Sequence, residues 1–331
     1  MPTTYAAAKQ FLGLAKETTH GTPVVPAVTM PVAEFTPDQT FEMLADESWR
    51  GHLGDNSGLQ QGVTKAEFDI KGPAFLDTLP HLLLNILGDR TTTGSAPYQH
   101  AFSLLNSGSA QPPSHTFTHF QGPAATVGAR QWPGACLSEL TLKWSAESEL
   151  FTVEGKGTSW GSQLPGSAPT AAPSTVPPLP AWRAIVGIGG PAASGTLVKN
   201  VATIELSLKR TLKPYYTASG SQDPYIIQRG KLEVTGKLNF VADSEAPFLA
   251  YLANTQPQLQ VVIGNGVSGA GQLSLQLDVD RAAYTTSKFS GGNDAAEYDV
   301  EWKAVSTTTN AGSSGGMSPC KITVANAVTT Y

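Results

Sequence analysis

The sequence predicts a mainly β protein made of two tandem β-sandwich or partial-barrel modules, each with a short flanking α-helix. Apolar and polar residues alternate along several short segments, and one order of segments occurs twice. Composition agrees, since only 14% of residues are charged while glycine and proline occur 33 and 24 times. Low charge and many turn residues disfavour a helical bundle or a coiled coil.

Alternation with a period of two predicts the strands. In residues 273–280 every second residue is apolar, which places Leu275 and Leu277 on one face of a half-buried antiparallel strand. The same pattern predicts strands at 140–144, 204–209, 232–235 and 298–303. A last strand is predicted at 321–324, after a Gly/Ser stretch.

Two segments have helical spacing instead. Residues 79–87 carry an apolar stripe, with Asp77 or Thr78 as the cap and Gly88 at the stop position. A shorter helix is predicted within residues 244–254. We expect each helix to cover one open side of a sheet or sandwich.

A proline-rich segment divides the chain. Residues 161–181 hold six prolines among small polar residues and form neither a ladder nor a helix, which predicts a semi-rigid linker. The predicted organisation is an N-terminal arm, a first module, the linker and a second module, at residues 1–30, 31–160, 161–181 and 182–331. The arm has little periodicity, and we expect it to become ordered only on a neighbour.

The two modules carry one plan. Residues 35–87 and 201–254 each give strand, polar loop, strand and helix in that order. Local identities support the match: Gln61-Gly62 against Gln228-Arg229-Gly230, and residues 151–156 against 298–303. The sequence therefore indicates an internal duplication.

Charge and motifs exclude several classes of function. The net charge of −5 gives no basic field for nucleic acid, and no leader or membrane span is evident, so we expect a soluble, unsecreted chain. Two glycine-rich motifs at 187–192 and 264–269 precede no helix, and the G-x-S-x-G motif at 312–316 lies in a flexible tract. We predict glycine-rich turns there, and neither an enzyme nor a cofactor.

Histidines suggest a metal site only weakly. His115 and His119 share a strand face, but no Cys or acidic residue lies within ten positions to complete a zinc site. Polar histidines on an amphipathic strand at a subunit boundary are the favoured interpretation, and no metal is predicted. Cys136 and Cys320, the only cysteines, are expected to be reduced thiols.

Several phrases of the sequence do resemble a known family. They are KETTHGTP at 16–23, QQG at 60–62, GPAFLDTLPHLLL at 72–84, QG at 121–122, GACLSELTLK at 134–143 and QRG at 228–230. In this order they are similar to the major tail tube proteins of long, non-contractile-tailed bacteriophages, particularly those of actinobacterial hosts. The resemblance spans nearly the whole chain.

The resemblance implies a structural virion protein. Members join β-sheets into a closed β-lined ring and stack rings into the hollow tube that conducts DNA from capsid to host. A chain with two modules is expected to form a trimer with pseudo-sixfold symmetry, assembled in the host cytoplasm. Implied partners are the chain itself, the tape measure protein, and the tail terminator and distal tail proteins, with DNA passing unbound and no membrane contact.

Two loops are the predicted contacts between stacked rings, because they correspond to the long inter-ring loops of that family. They are Ala45–Gln60 and Pro214–Ile227. The residues singled out are Asp46, Glu47, Trp49, Arg50 and His52 in the first loop, and Tyr215, Tyr216, Asp223 and Tyr225 in the second. A β-sandwich adhesin or carbohydrate-binding module remains the alternative, since it would share the Gly, Thr and aromatic content.

Overall fold

The chain folds into two antiparallel sheets and two short helices. The computed structural model describes residues 7–26, 28–51, 54–55, 58–121, 128–147, 149–166, 170–291 and 295–331. Within these ranges neither sheet closes into a barrel, and the mainly β prediction is confirmed. The strands are β1 (Phe11–Lys16), β2 (Val28–Met30), β3 (Glu34–Asp46), β4 (Gly58–Pro73), β5 (Gly88–Thr93), β6 (Tyr98–Leu104), β7 (His115–Phe120), β8 (Ala129–Ser145), β9 (Thr152–Ser159), β10 (Ile185–Ile188), β11 (Leu197–Val198), β12 (Val201–Tyr215), β13 (Ile226–Val241), β14 (Leu259–Gly264), β15 (Ser274–Val279), β16 (Ala282–Ser290), β17 (Glu297–Ala304) and β18 (Lys321–Asn326). The helices are α1 (Leu79–Leu87) and α2 (Ala246–Leu252).

The larger sheet contains strands from both halves of the chain. Eight of its strands lie side by side in the order β16-β17-β13-β12-β8-β9-β4-β3, and the β2-β1-β7 group pairs with the first part of β8. The predicted strands at 140–144, 204–209, 232–235 and 298–303 all lie in this path. The two halves are therefore joined by one continuous ladder, at β8 and β12.

The smaller sheet also crosses from one half to the other. Its order is β11-β10-β14-β15-β18-β6-β5, and β18 from the end of the chain pairs with β6 from the first half. The strands predicted at 273–280 and 321–324 form β15 and β18, and burial alternates along β15 as expected.

The two four-strand ladders, β3-β4-β9-β8 and β12-β13-β17-β16, have matching irregularities. Each hairpin has a bulge, between Phe41 and Met43 in β3 and between Arg210 and Leu212 in β12, followed by four more pairs. A second bulge lies in the fourth strand of each ladder, between Leu137 and Glu139 in β8 and between Tyr284 and Thr286 in β16. Because a bulge fixes local register, these positions align the two halves residue by residue.

At one equivalent rung, each ladder pairs an aromatic residue with a glycine. The aromatic residue lies on the second strand of the first ladder and on the third strand of the second ladder. Phe68 of β4 lies opposite Gly157 of β9, and the equivalent rung sets Gly236 of β13 opposite Trp302 of β17. In each case the ring covers the glycine so closely that a Cβ there would lie within 2.4 Å of it. Each half thus fills this position in the core with one aromatic ring.

The two helices differ in burial. All nine residues of α1 are buried, and Gly88 ends the helix with a φ of 90°, a left-handed conformation that glycine adopts without strain. The structure confirms this helix at its predicted bounds. α2 lies on β16 and β17 within the segment predicted for it, but none of its residues is buried.

One expectation about the connecting segments needs correction. From Phe11 onward the N-terminal arm forms β1 and β2, and Leu12 and Leu14 lie fully in the core, so for this part the expectation that ordering requires a neighbour is wrong. The sequence FLGLAK could not predict this strand, because it is only six residues long and is buried at four successive positions without alternation. Described residues of the linker lie along the first half, where the Phe151 amide donates to Leu179 O at 2.9 Å.

Candidate assembly surfaces

The joint between β8 and β12 shows how this chain connects two four-strand ladders. Seven residue pairs run from Thr203 opposite Ser145 to Lys209 opposite Glu139. On the polar face the Lys209 ammonium lies 3.0 Å from the Glu139 carboxylate, which also accepts from Ser207 Oγ at 3.1 Å. Partial burial acts to raise the pKa of Glu139, but Lys209 and Ser207 together hold it below its ordinary value.

Two buried arginines of the second half reinforce this joint. Arg210 donates to Ile86 O at the end of α1, at 3.0 Å, and burial lowers its pKa to about 10. Arg229 donates to Pro112 O and also lies 3.0 Å from Cys136 Sγ. Guanidinium donors thus satisfy backbone carbonyls of the first half that the fold removes from water.

α1 is fixed to β8 by a buried amide. Asn85 donates from Nδ2 to Ala135 O at 2.8 Å and accepts at Oδ1 from the Leu137 amide at 2.8 Å. These two contacts flank the start of the β8 bulge. The helix is therefore held against the strand that makes the joint.

Within the described residues, β3 and β16 are the unpaired edges of the eight-strand path. In the aligned ladders they occupy the positions of β12 and β8, which form the internal joint. The side chains of β3 that face the core layer, such as Phe35 and Phe41, are only half-buried, and Phe289 of β16 is 61% exposed. An edge with apolar side chains and free backbone groups is a template for another strand.

The first predicted contact loop projects from the hairpin of β3 and β4. Asp46 accepts from the Ser48 amide at 3.1 Å and pairs with Arg50, so hydrogen bonds from Ser48 and then Arg50 lower the pKa of Asp46. Glu47 is exposed, and Trp49 is fully exposed at the tip. His52 lies outside the described residues.

The second predicted loop folds back on the first hairpin instead of projecting. Tyr216 donates to Thr64 O at 2.7 Å, and burial raises the pKa of its hydroxyl. Asp223 accepts from the Gly161 amide at 2.9 Å. Tyr215 and Tyr225 remain largely exposed at the base of the loop. The structure thus brings Tyr216 and Asp223 close to the first hairpin, whereas Trp49 remains exposed and apart from them. A role of either loop in contacts between rings stays a prediction.

Sequence reasoning missed the two edges and the two arginines. Gln228-Arg229-Gly230 drew attention only as a repeated phrase, although a charged residue at the start of a bulged apolar strand could have indicated a buried contact. Nothing local distinguishes the edge strand β3 from its paired counterpart β12, because pairing between distant strands is not a property of either segment.

The histidines are core residues. His115 is fully buried, with Nδ1 3.0 Å from Asn85 Nδ2, and burial holds its pKa well below the ordinary value. His119 packs its ring edge-on to Phe35 at 5.1 Å. The strand at 115–120 exists and pairs with β1 and β8, but both of its faces are buried almost throughout, so it is not amphipathic.

No metal-binding constellation accompanies these surfaces in the described part of the chain. Its His, Cys, Asp and Glu residues form no group of three or more suited to a metal ion. Both cysteines are buried, and burial raises the pKa of the Cys320 thiol to about 12. Among the described helices, none has the length and apolar character needed to cross a membrane.

Fold and surfaces together define a structural β protein, with sheet edges suited to strand addition. Comparison with known families makes the assignment specific, since the family model described as phage tail tube protein matches residues 7–304. The chain belongs to this family. It is accordingly a structural component of a phage tail, where members assemble with one another into a tube. No curated protein matches the sequence.

Proposed function

We propose that three copies of this chain close into a ring, and that such rings stack into the hollow tube through which phage DNA passes. One observation carries the proposal: the internal joint between β8 and β12 is a template for joining the free edges β16 and β3 of neighbouring copies. Each ring would then contain six ladders and two kinds of joint, one within a chain and one between chains.

The bulge positions transfer the internal register to the proposed external joint. In the aligned ladders Thr141 corresponds to Lys288 and Ser207 to Asp38, and since Thr141 lies opposite Ser207, Lys288 of one copy would lie opposite Asp38 of the next. Opposite charges facing each other across a ladder stabilise the pairing. The edges are therefore complementary in charge at this rung.

The adjacent rung would pair two apolar residues. Leu142 and Leu206 face each other in the core of the internal joint, and their counterparts are Phe289 and Pro37. Phe289 lies beside Tyr298 with ring centroids 5.2 Å apart and is otherwise open to solvent. Pairing with Pro37 would bury this ring, as pairing with Leu206 buries Leu142.

Strand number supports three copies. Eight strands from each chain give twenty-four in a closed ring of three. At the usual strand spacing, a barrel of that size is about 37 Å across between backbones, and wider if the strands tilt. Barrels of 16 to 18 strands already leave an aqueous channel, so this ring has an open lumen.

The polar face of the larger sheet is the proposed lumen wall, because the opposite face carries the helices and the smaller sheet. Its lysines include four that are held in cross-strand ion pairs: Lys143 with Glu154, Lys209 with Glu139, Lys237 with Glu301, and Lys303 with Glu233. Paired ammonium groups neutralise fewer phosphates, so DNA would pass without being held.

For stacking, the exposed tip of the first loop is the proposed contact with the adjacent ring. Trp49 offers a large exposed aromatic surface of the kind that anchors interfaces. Trp49→Ala should leave rings intact and prevent tubes, and Trp182→Ala, which removes another exposed indole, serves as the control. Tape measure, tail terminator and distal tail proteins would complete the tail, which assembles in the host cytoplasm.

A cysteine pair tests the ring joint directly. Asp38→Cys with Lys288→Cys should form disulfides between copies and trap a closed trimer on a non-reducing gel, since opposed Cβ atoms lie about 5 Å apart. The native thiols are buried and do not interfere. The control is Asp38→Cys with Ser290→Cys, in which the second cysteine is two residues out of register on the same face of β16.

Negative-stain images of the wild-type protein at high concentration complete the test. Rings or tubes are expected, and their rotational symmetry gives the number of copies. A wild-type protein that stays monomeric, together with the absence of any cross-link in the Asp38→Cys/Lys288→Cys double variant, would contradict the ring.

A further inference from the structure

A surface of α2 is apolar and is not covered by any described residue of the chain. All four of its large side chains face solvent to a considerable degree: Phe248, Leu249, Tyr251 and Leu252. Leu252, in the last turn, is 62% exposed. Clustered apolar exposure of this kind marks an interaction site on a folded protein.

The equivalent surface in the first half shows what covers such a helix. α1 lies on β8 as α2 lies on β16, and β12 pairs with β8 beside it. Arg210 of β12 reaches the last turn of α1, where it donates to Ile86 O at 3.0 Å. The strand that forms the joint also contacts the end of the helix.

The same alignment identifies the residues that would meet α2. Arg210 and Leu212 border the bulge of β12, and their counterparts in β3 are Phe41 and Met43. Phe41 is half-buried and Met43 is 52% exposed. Phe41 therefore replaces the arginine of the internal joint, and Met43 keeps the apolar character of Leu212.

We propose that α2 is the docking site for the β3 end of a second copy of this chain, with Phe41 and Met43 packed against Leu249 and Leu252. This inference rests on the proposed ring and extends its joint from backbone pairing to a side-chain contact on the helix. The contact continues the β16 edge, because α2 packs on that strand.

Pairing within the chain gives the joint its direction. Within the described residues β12 is already paired with β13 and β8, and Arg210 is already buried against α1. The edges left for joining are β3 of the first half and β16 of the second half. Second halves would therefore join first halves, and the copies would follow one direction around the ring.

The test places a charge on α2. Leu252→Asp should raise the protein concentration needed for ring assembly by about tenfold or more, since it removes a buried apolar contact. The side chain is exposed in the monomer, so the melting temperature of the dilute protein should not change. Val267→Asp, at a similarly exposed position in a loop, is the matched control. Met43→Lys combined with Leu252→Asp should recover assembly by charge pairing.

The outcomes separate this inference from the ring itself. Sedimentation velocity gives the assembly threshold of each variant, and the Asp38→Cys/Lys288→Cys cross-link reports the strand pairing. Normal assembly of Leu252→Asp, or equal impairment by Val267→Asp, overturns the α2 contact while the cross-link still supports the ring. Absence of both assembly and cross-link in the parent protein overturns both.

Discussion

The helices α1 and α2 have equivalent places in the two halves but opposite environments. Both are apolar, both have proline in the first turn, and both lie on the last strand of a four-strand ladder. α1 is buried because further segments close over it: Asn326 Nδ2 donates to Leu76 O at 2.7 Å just before the helix, and Tyr331 OH donates to Asp77 O at 2.9 Å. Nothing in the described chain closes over α2 in this way.

The difference shows that burial here depends on what surrounds the helix and not on the helix sequence alone. α1 has β5, β6 and the end of the chain packed around it, whereas α2 lies on a ladder that ends at a free edge. Substitutions at equivalent positions in the two halves therefore measure the effect of these surroundings.

The largest expected difference is between equivalent leucines of the two helices. Leu82→Ala removes a fully buried side chain and should lower the free energy of unfolding by about 3 to 4 kcal/mol. Leu249→Ala, on the exposed helix, should change it by less than about 0.5 kcal/mol. Urea unfolding of dilute protein checks both, and equal losses would contradict the comparison.

Next in size is the buried arginine at the joint. Arg229→Met leaves Pro112 O and Pro113 O without their guanidinium donors and should cost about 2 to 3 kcal/mol. Its counterpart in the first hairpin is Gln61, which is exposed, so Gln61→Met should be nearly neutral. Thermal unfolding of both variants gives the result; a neutral Arg229→Met would show that the ladder alone holds the joint.

A smaller effect is expected where a ring covers a glycine. The Cβ of Gly236→Ala would lie 2.3 Å from the Trp302 ring and 2.4 Å from Glu205 O, and the resulting strain should cost about 2 kcal/mol. Gly157→Ala should behave alike in the first half, where Phe68 is the covering ring. Gly155→Ala is the control, since its nearest neighbour would be 3.4 Å away, and calorimetry should find it unchanged.

The smallest effect concerns the ion pair on the polar face of the joint. Because the pKa of Glu139 is lower in the folded chain, its carboxylate stabilises the fold fully above its unfolded pKa of about 4.3. This contribution is lost as the pH falls through the lower, folded-state pKa. Partial exposure limits it to about 0.5 kcal/mol. Glu139→Gln should therefore be less stable than the parent at pH 7 and equal to it near pH 2, and a constant difference would contradict this.

Much of the fold could be predicted from the sequence, because its signals are local. Alternation in residues 273–280 and the capped stripe at 79–87 specify a strand and a helix from neighbouring residues alone. A repeat was also predicted, but the match of residues 151–156 to 298–303 is two residues out of the register that the two ladders share, in which Gly157 corresponds to Trp302. Bulges and the exchanged aromatic rung hide this register from a comparison of letters.

The candidate site was less predictable, because its main features depend on distant parts of the chain. Trp49 could be singled out as an exposed aromatic in a polar loop. The return of Tyr216 to Thr64 could not, since it joins residues 152 positions apart. The exposure of α2 likewise depends on which strand pairs with the free edge of β16, and the described chain contains none there.

The joint between β8 and β12 also has a kinetic consequence. Half of the contacts around the proposed ring form during folding, at a rate that does not depend on protein concentration. Closing the proposed ring would then bring together three chains, whereas separate modules would have to bring together six. In a cell that fills gradually with subunits, the linked chain would reach the threshold for assembly earlier and leave fewer partial rings in solution.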